Sequence, residues 1–363
     1  MVQITIVGNI LDSSGYSIHT RQLANSLSKI CDVKLTTQIP QNAVTLLTDK
    51  EIEMIKKPDK GEVNLIITSP VYWKRYLTAK RNWAFLVFEG NKIPKSYLTE
   101  CMNPDIEYIF VPSHHTREAI VNTCNSIGGV ENSFGNLVDK VKIIPHGVNL
   151  DLFYPKEKPD KFTFLCNKGW RHLEDRGGIQ YAVRAYLEEF TNQDNINLII
   201  KINPAYGIPD VNKLINEIAP KDKKDFPPMQ INADNINYNK LVDLYNKAHV
   251  LVAPSRADAF NIPGIEAMAC GLPIITTNFG GQSDYCNDNN SWVIGGDLTE
   301  VTWELLYEGV SWITPSIPEL RKAMREAYFQ WEKEAFNKKV DKCLETAKQF
   351  TWDNTAQKIV NLI

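Results

Sequence analysis

Several features are missing from this sequence of 363 residues, and each absence removes a class of protein. No apolar run approaches the roughly 20 residues that a membrane-spanning helix needs. The longest, such as Trp83 to Phe88, has the length of a buried strand. The opening Met1-Val2-Gln3-Ile4-Thr5-Ile6-Val7-Gly8 has no basic leader and no cleavage pattern, so no signal peptide is expected. The seven cysteines are odd in number, scattered, and never spaced C-x-x-C. That pattern predicts free thiols in a reducing cytoplasm rather than a disulfide framework or a zinc site. Charge of one sign is not in excess: 40 Lys and Arg face 43 Asp and Glu, a net charge of -3. Blanket attraction to nucleic acid is therefore excluded. Low-complexity tracts and internal repeats are also missing. With 43% hydrophobic, 23% charged and 10% aromatic residues, disorder, collagen and coiled coil drop out, leaving a globular chain. At about 150 residues per domain, the length predicts two domains.

What is present is an alternation of short β-branched runs with amphipathic stretches. Val2–Val7 reads as a strand that stops at Gly8, and Ile18, Leu23, Leu27 and Ile30 then mark a helix. Val33–Thr37, Val63–Ile67, Ala84–Phe88, Glu107–Val111 and Val141–Ile144 read as further strands. The polar, proline-bearing Tyr154-Pro155-Lys156-Glu157-Lys158-Pro159-Asp160 reads as a linker, with a hinge near Lys156–Pro159. The pattern restarts with strands at Phe162–Cys166, Leu198–Ile202, Met229–Ile231, Val250–Ala253 and Pro273–Thr276. Helices are expected near Gly177–Phe190, Asn239–Ala248 and Pro263–Cys270, and through most of Ile317–Ile363. The fold class is α/β. Two doubly wound parallel sheets are expected, with ligands beyond the C-terminal ends of the strands.

The stretch Pro254-Ser255-Arg256-Ala257-Asp258-Ala259-Phe260-Asn261-Ile262-Pro263-Gly264-Ile265-Glu266-Ala267-Met268-Ala269-Cys270-Gly271-Leu272-Pro273 is the most informative. It follows a strand and opens a helix, with Pro263 suited to the first turn and Gly271 to the C-terminal cap. Free N–H groups at such a helix start face an anion. Two acids, Asp258 and Glu266, bracket the loop; alone, Glu266 could simply stabilise the helix dipole.

Taken whole, the stretch resembles the retaining glycosyltransferases of family 4, whose signature runs P-S, E-G-F-G-L-P, then E-A-M-A-x-G-x-P. Asp258 and Glu266 stand at the two acids of its E-x7-E motif, and Gly280-Gly281-Gln282-Ser283-Asp284 resembles the G-G-x-x-E/D that follows. Ile143-Ile144-Pro145-His146-Gly147-Val148-Asn149 with Phe153 and Pro155 resembles I-P-N-G-V-D…F-x-P. Lys168-Gly169-Trp170-Arg171-His172-Leu173-Glu174-Asp175-Arg176-Gly177 resembles G-R-L-x-x-x-K-G. Val111-Pro112-Ser113, the helix with Leu241, Tyr245 and Ala248, and Phe350-Thr351-Trp352 extend the resemblance over most of the chain.

The resemblance implies a GT-B fold: two Rossmann-like domains facing an interdomain cleft. An acceptor-side domain would span 1–157, with a C-terminal helix at about 346–363 packing back on it, and a nucleotide-sugar domain 158–345. The implied activity is transfer of a hexose from a UDP- or GDP-sugar to a hydroxyl of a glycan, lipid or protein-linked sugar, with retention. No cofactor and no metal are implied. Arg171 and Arg176 would hold the donor diphosphate, and Glu266 the ribose. Asp258 and the backbone of Phe260, Asn261, Ile262 and Pro263 would meet the sugar and phosphates, and Ile231-Asn232-Ala233 the base. Gly15 would approach a phosphate. Glu89, in a segment resembling W-E-x-x-x-x-P, would meet donor or acceptor.

The chain departs from the pattern at four positions. Asp258 is one methylene shorter than Glu, about 1.5 Å at most. Ala259 and Asn261 replace the two glycines of E-G-F-G, and Arg176 replaces Lys. Two rival classes follow: another GT-B enzyme, such as an epimerase or phosphorylase, and a non-catalytic sugar-nucleotide-binding subunit. Among the histidines, His146 reads as structural, while His19, His114 and His115 are weaker acceptor-side candidates. Tyr72, Trp73 and Tyr76 could stack on a sugar or pack in a core. The basic pairs Lys74-Arg75 and Lys80-Arg81 read first as a solvated face, with peripheral contact to the cytoplasmic membrane face as the alternative.

Overall fold

The computed structural model describes residues 2–37, 47–128 and 134–363. Its contacts divide into two units. Unit 1 holds the residues up to Gly147 together with Glu300–Ser311 and Phe350–Ile363; unit 2 holds Val148–Thr299 and Trp312–Gln349. Residues 148–157, expected to close the first domain, thus make their contacts in unit 2.

Unit 1 is built on six parallel strands: β1 (Gln3–Gly8), β2 (Asp32–Thr37), β3 (Val63–Ile67), β4 (Arg81–Phe85), β5 (Tyr108–Val111) and β6 (Val141–Ile143). Their order is β2-β1-β3-β4-β5-β6. Both β1 and β3 are buried along their whole length, as strands covered on two faces must be. The apolar run expected as a strand at Ala84–Phe88 is shifted. The strand begins at Arg81 and ends at Phe85, because Arg81 and Asn82 pair with Val63 and Asn64. Leu86 and Phe88 are buried beyond the strand's end, which is why hydropathy alone misplaces it.

The helix Trp352–Val360 packs on the helix Gly15–Leu27 within unit 1. His19 and His146 lie 4.2 Å apart between ring centroids, tilted by 50°, with Phe85 and Trp352 closing the cluster. Thr355 Oγ1 donates to the Pro145 carbonyl at 2.7 Å. Burial pushes the His19 imidazole well below its ordinary value, with the neighbouring His146 adding to it, so His19 is a neutral core residue. Trp73 is likewise fully buried, while Lys74 and Arg75 are exposed.

Unit 2 repeats the plan with β7 (Phe162–Lys168), β8 (Ile196–Ile202), β9 (Met229–Asn232), β10 (Val250–Ala253), β11 (Ile274–Thr277) and β12 (Ser291–Ile294), all parallel. The order is β12-β11-β10-β7-β8-β9, the Rossmann order, with the order of strand addition reversing between β7 and β10. Phe162, Phe164, Leu198 and Ile200 face the helices Ile179–Glu189 and Ile317–Gln330 in its core. Neither β12 nor the pair β13 (Gly296–Glu300) and β14 (Ser311–Pro315) was expected from the sequence. Exposed and polar, β13 carries no apolar period to announce it. Among the described residues no helix is long and apolar enough to cross a membrane, and all seven cysteines are free.

Candidate active site

The reversal in unit 2 puts the C-terminal ends of β7 and β10 side by side, and both loops that leave them carry charge. The first runs from Lys168 to Gly178. Asp175 pins it by accepting from the Arg171 N–H at 3.0 Å, from Arg171 Nε at 3.3 Å, and from the Gly177 N–H at 3.0 Å. The Arg171 side chain is otherwise 48% exposed. Arg176 donates to the Ala257 carbonyl at 3.4 Å, so the first loop touches the second. Gly178 sits at φ 81°, and a Cβ there would lie 2.1 Å from the Pro254 carbonyl oxygen. Only glycine permits that approach of loop to strand end.

Arg256 staples the two loops from beneath. Its N–H donates to the Arg176 carbonyl at 2.9 Å. Its guanidinium, 1% exposed, donates to Glu174 at 2.6 Å and to the Ile313 carbonyl at 3.3 Å.

The second loop ends in the helix Ile262–Ala269, with Pro263 in the first turn. Asp258 Oδ1 accepts from the Phe260 and Asn261 N–H groups at 3.1 and 2.6 Å, which folds the chain back on itself ahead of the helix. Lys168 Nζ donates to Asp258 Oδ2 and to Asn261 Oδ1, both at 2.6 Å. Phe260 and Asn261 are buried, Phe260 against Tyr285. The Gly280-Gly281 pair closes over this loop. A Cβ at Gly281 would lie 1.9 Å from the Ala259 carbonyl oxygen, and the Gly281 N–H donates to the Asp258 carbonyl at 2.8 Å.

Electrostatics bind these residues into one cluster. Burial alone would raise the Asp258 carboxyl, but the Lys168 ammonium and the Arg176 guanidinium overcome it and hold it down at about 2. Burial lowers the Lys168 ammonium against the pull of Asp258, with Arg176 opposing and Glu266 assisting the charge. Glu266, 1% exposed, accepts from Tyr238 Oη at 2.6 Å and from Tyr245 Oη at 2.7 Å. Burial raises its carboxyl to about 7, with the two tyrosines and Lys168 pulling the other way.

The structure therefore brings Arg171, Arg176, Asp258, Phe260, Asn261, Ile262, Pro263 and Glu266 to one end of one sheet. Ile231 and Ala233 lie at the C-terminal end of β9, the outer strand of that sheet, with Ile231 exposed. Gly15 and Glu89 belong to unit 1. Gly15 opens its helix just after Ser14, whose hydroxyl accepts from the Ser17 N–H at 3.3 Å. Asp12 accepts from the Ser14 N–H at 2.8 Å and Ser17 Oγ at 2.6 Å. Glu89 accepts from Tyr307 Oη at 2.6 Å, and His115 Nε2 meets the Glu89 carbonyl at 2.8 Å. Sequence reasoning missed Lys168, Arg256, Tyr238 and Tyr245 as site residues. For Lys168 a signal was there: a lone charge closing the buried run Phe-Thr-Phe-Leu-Cys-Asn.

Comparison with known proteins agrees with this reading of unit 2. Residues 172–331 match the family model described as "Glycosyl transferases group 1". A probable sucrose-phosphate synthase of Thermosipho melanesiensis is 24% identical over 63% of this chain and 48% of its own length. The O-antigen chain mannosyltransferase RfbU of Salmonella typhimurium is 27% identical over 39% of this chain and 36% of its own. The matches thus span half or less of these relatives. Among solved structures, sucrose-phosphate synthase from Thermosynechococcus elongatus superposes with a TM-score of 0.69 at 16% identity, covering 100% of this chain and 98% of that one. Anabaena HepE in complex with UDP gives 0.61 at 12% identity, covering 99% of each. Residues 172–331 are thus similar to the group 1 glycosyltransferases, and the two parallel-sheet α/β units have the GT-B fold.

Proposed function

We propose that this protein is a retaining glycosyltransferase that moves a hexose from a UDP- or GDP-sugar to a hydroxyl of a glycan, lipid or protein-linked acceptor. One observation carries the reading: the cations Lys168 and Arg176, with Arg171 on the same loop, stand with the start of the Ile262–Ala269 helix and the buried carboxylates Asp258 and Glu266 at the strand-order reversal of a Rossmann sheet. Sheets of this kind bind nucleotides there.

The chemistry follows from the donor set. Arg171 and Arg176 bind the diphosphate, and their fixed forks suit phosphate oxygens. Charge grows on the diphosphate as the sugar leaves, so these guanidinium groups act most strongly in the transition state. They supply the charge a divalent cation would otherwise bring, and the reaction is metal-independent. The N–H groups at Ile262 and Pro263's turn add the helix dipole. Glu266 accepts from the ribose hydroxyls, in exchange for one of its tyrosine partners. The ends of β9 at Ile231 and Ala233 carry base recognition. Attack comes from the face the diphosphate leaves, with a phosphate oxygen taking the acceptor proton, so no protein nucleophile is needed. The enzyme works in the cytoplasm, with peripheral contact to the membrane face when the acceptor is a lipid.

The test is thermal stabilisation of the purified protein by UDP, GDP, ADP and their sugars, first with EDTA and then with Mg²⁺. A ligand at 100 times its dissociation constant adds about 2.7 kcal/mol. A shift for one base with EDTA present is the expected result. The absence of any shift in folded protein refutes the reading, and a shift only with Mg²⁺ refutes its metal independence. A sugar isomerised without acceptor would instead identify an epimerase.

A further inference from the structure

The loop between β10 and its helix holds an amide with unspent hydrogen-bonding capacity. Asn261 stands at φ 68°, in the left-handed region, at the residue before the helix. Asparagine tolerates that conformation better than most residues but glycine suits it best. The residue is 1% exposed, its backbone held by two bonds and its side chain by one. Tyr285 Oη donates to its carbonyl at 2.8 Å, its N–H donates to Asp258 at 2.6 Å, and Lys168 donates to its Oδ1 at 2.6 Å. An ammonium only donates, so the amide oxygen must face Lys168 and Nδ2 must point away. Among the described residues, Nδ2 has no hydrogen-bond partner. Space has been kept for it: a Cβ at Gly264 would lie 3.1 Å from Nδ2 and 2.4 Å from Tyr285 Oη.

Lys168 is in a related position. Its ammonium has three N–H groups and donates two of them, to Asp258 and Asn261. Asp258 is more fully used. Oδ1 takes two backbone N–H groups and Oδ2 takes the lysine, leaving one lone pair for anything else.

We propose that Asn261 and Lys168 determine donor-sugar specificity, reading an oxygen of the sugar through Asn261 Nδ2 and the third Lys168 N–H, while Asp258 is the internal counterion that holds both in place. This rests on reading the cluster as a nucleotide-sugar site. The ligand atom is an acceptor: a ring hydroxyl, an acetamide carbonyl or a carboxylate. A buried donor left without an acceptor penalises sugars that lack the matching oxygen, and sites built this way discriminate strongly.

The experiment compares free diphosphates with their sugars by calorimetry. UDP is set against UDP-glucose, UDP-N-acetylglucosamine and UDP-glucuronate, and GDP against GDP-mannose. Two variants separate recognition from structure. Asn261→Gly suits the left-handed backbone and removes the amide. Asn261→Asp keeps an oxygen for Lys168 and exchanges the N–H donor for a carboxylate oxygen, whose added charge lies beside that ammonium. In both, the increment that the preferred sugar adds over its diphosphate should fall at least about tenfold, while affinity for the diphosphate itself stays within about threefold. Lys168→Met combined with Asp258→Asn, which strands no buried charge, should show the same selective loss. The idea is overturned if both Asn261 variants keep the wild-type ratio of sugar to diphosphate affinity. Equal loss of diphosphate and sugar also overturns it, since that marks a structural role. Wild-type protein that binds diphosphates with no increment from any sugar overturns this inference alone, whereas no binding of either diphosphate removes the underlying reading as well.

Discussion

Two helices of this chain begin just beyond a central strand of a parallel sheet, and each beginning is organised by one aspartate. After β1, Asp12 accepts from the Ser14 N–H, the Ser17 hydroxyl and the side-chain amide of Asn9, and Ser14 caps the helix. Burial works to raise this carboxyl, but those neutral donors hold it below the usual value. After β10, Asp258 also accepts two backbone N–H groups, yet its partner is a buried lysine, an arginine is felt nearby, and the helix has no side-chain cap. The first end is complete in itself. The second holds positive charge and an unmatched amide donor that only a further oxygen-rich group would complete. A helix start becomes a ligand site when its donors are left over.

Removing the two aspartates should break this comparison most visibly. Asp258→Ala leaves Lys168 buried without its counterion, and loss of one partner of a buried pair costs about 3–5 kcal/mol. Urea denaturation measures it, and a loss below about 1 kcal/mol would mean the pair is already solvated. Arg176→Ala tests charge that is spent on ligand rather than on folding. Diphosphate affinity should fall by about 1.5–3 kcal/mol, roughly ten- to a hundredfold, with the melting temperature nearly unchanged. Asp12→Ala should cost about 1 kcal/mol of stability, the scale of a lost helix cap, and leave UDP and GDP binding intact. A tenfold loss of nucleotide affinity there would place the β1 loop in the site and end the contrast.

The last effect is a dependence on pH. The Glu266 carboxyl is raised to about 7 in the folded protein from 4.5 when unfolded. The protonated form is therefore the one folding favours: that stability is fully present below 4.5 and is lost as pH rises through about 7. Wild type should lose stability relative to Glu266→Gln between pH 5 and pH 8, by about 2 kcal/mol. Parallel melting curves for the two proteins across that range would show instead that Glu266 does not titrate there.

Much of this architecture was legible because buried parallel strands announce themselves as short apolar runs. Phe162–Cys166 and Val250–Ala253 were found that way, and the motif from Pro254 to Pro273 marked the second loop. The failures have physical causes. Arg81 and Asn82 enter the sheet through backbone pairing, to which hydropathy is blind. The pairing of Lys168 with Asp258 spans 90 positions, and only the strand order β10-β7 brings the two together. The tyrosines on Glu266 come from 28 and 21 residues upstream, on a turn and a short helix whose sequences do not mark their aim. Local pattern reveals elements and loops, whereas charge partners depend on topology.

Unit 1 has a biosynthetic peculiarity. Its sheet comes from the first 147 residues, but the cluster of His19, His146 and Phe85 is closed by Trp352, and Gly90 and Glu89 meet Val310 and Tyr307. During translation, the part synthesised first is therefore among the last to be finished. At about 5–20 residues per second, the half-built unit waits on the order of ten seconds or more for its closing helix. During that interval an aromatic face that is dry in the mature protein stays open to solvent, and to chaperones.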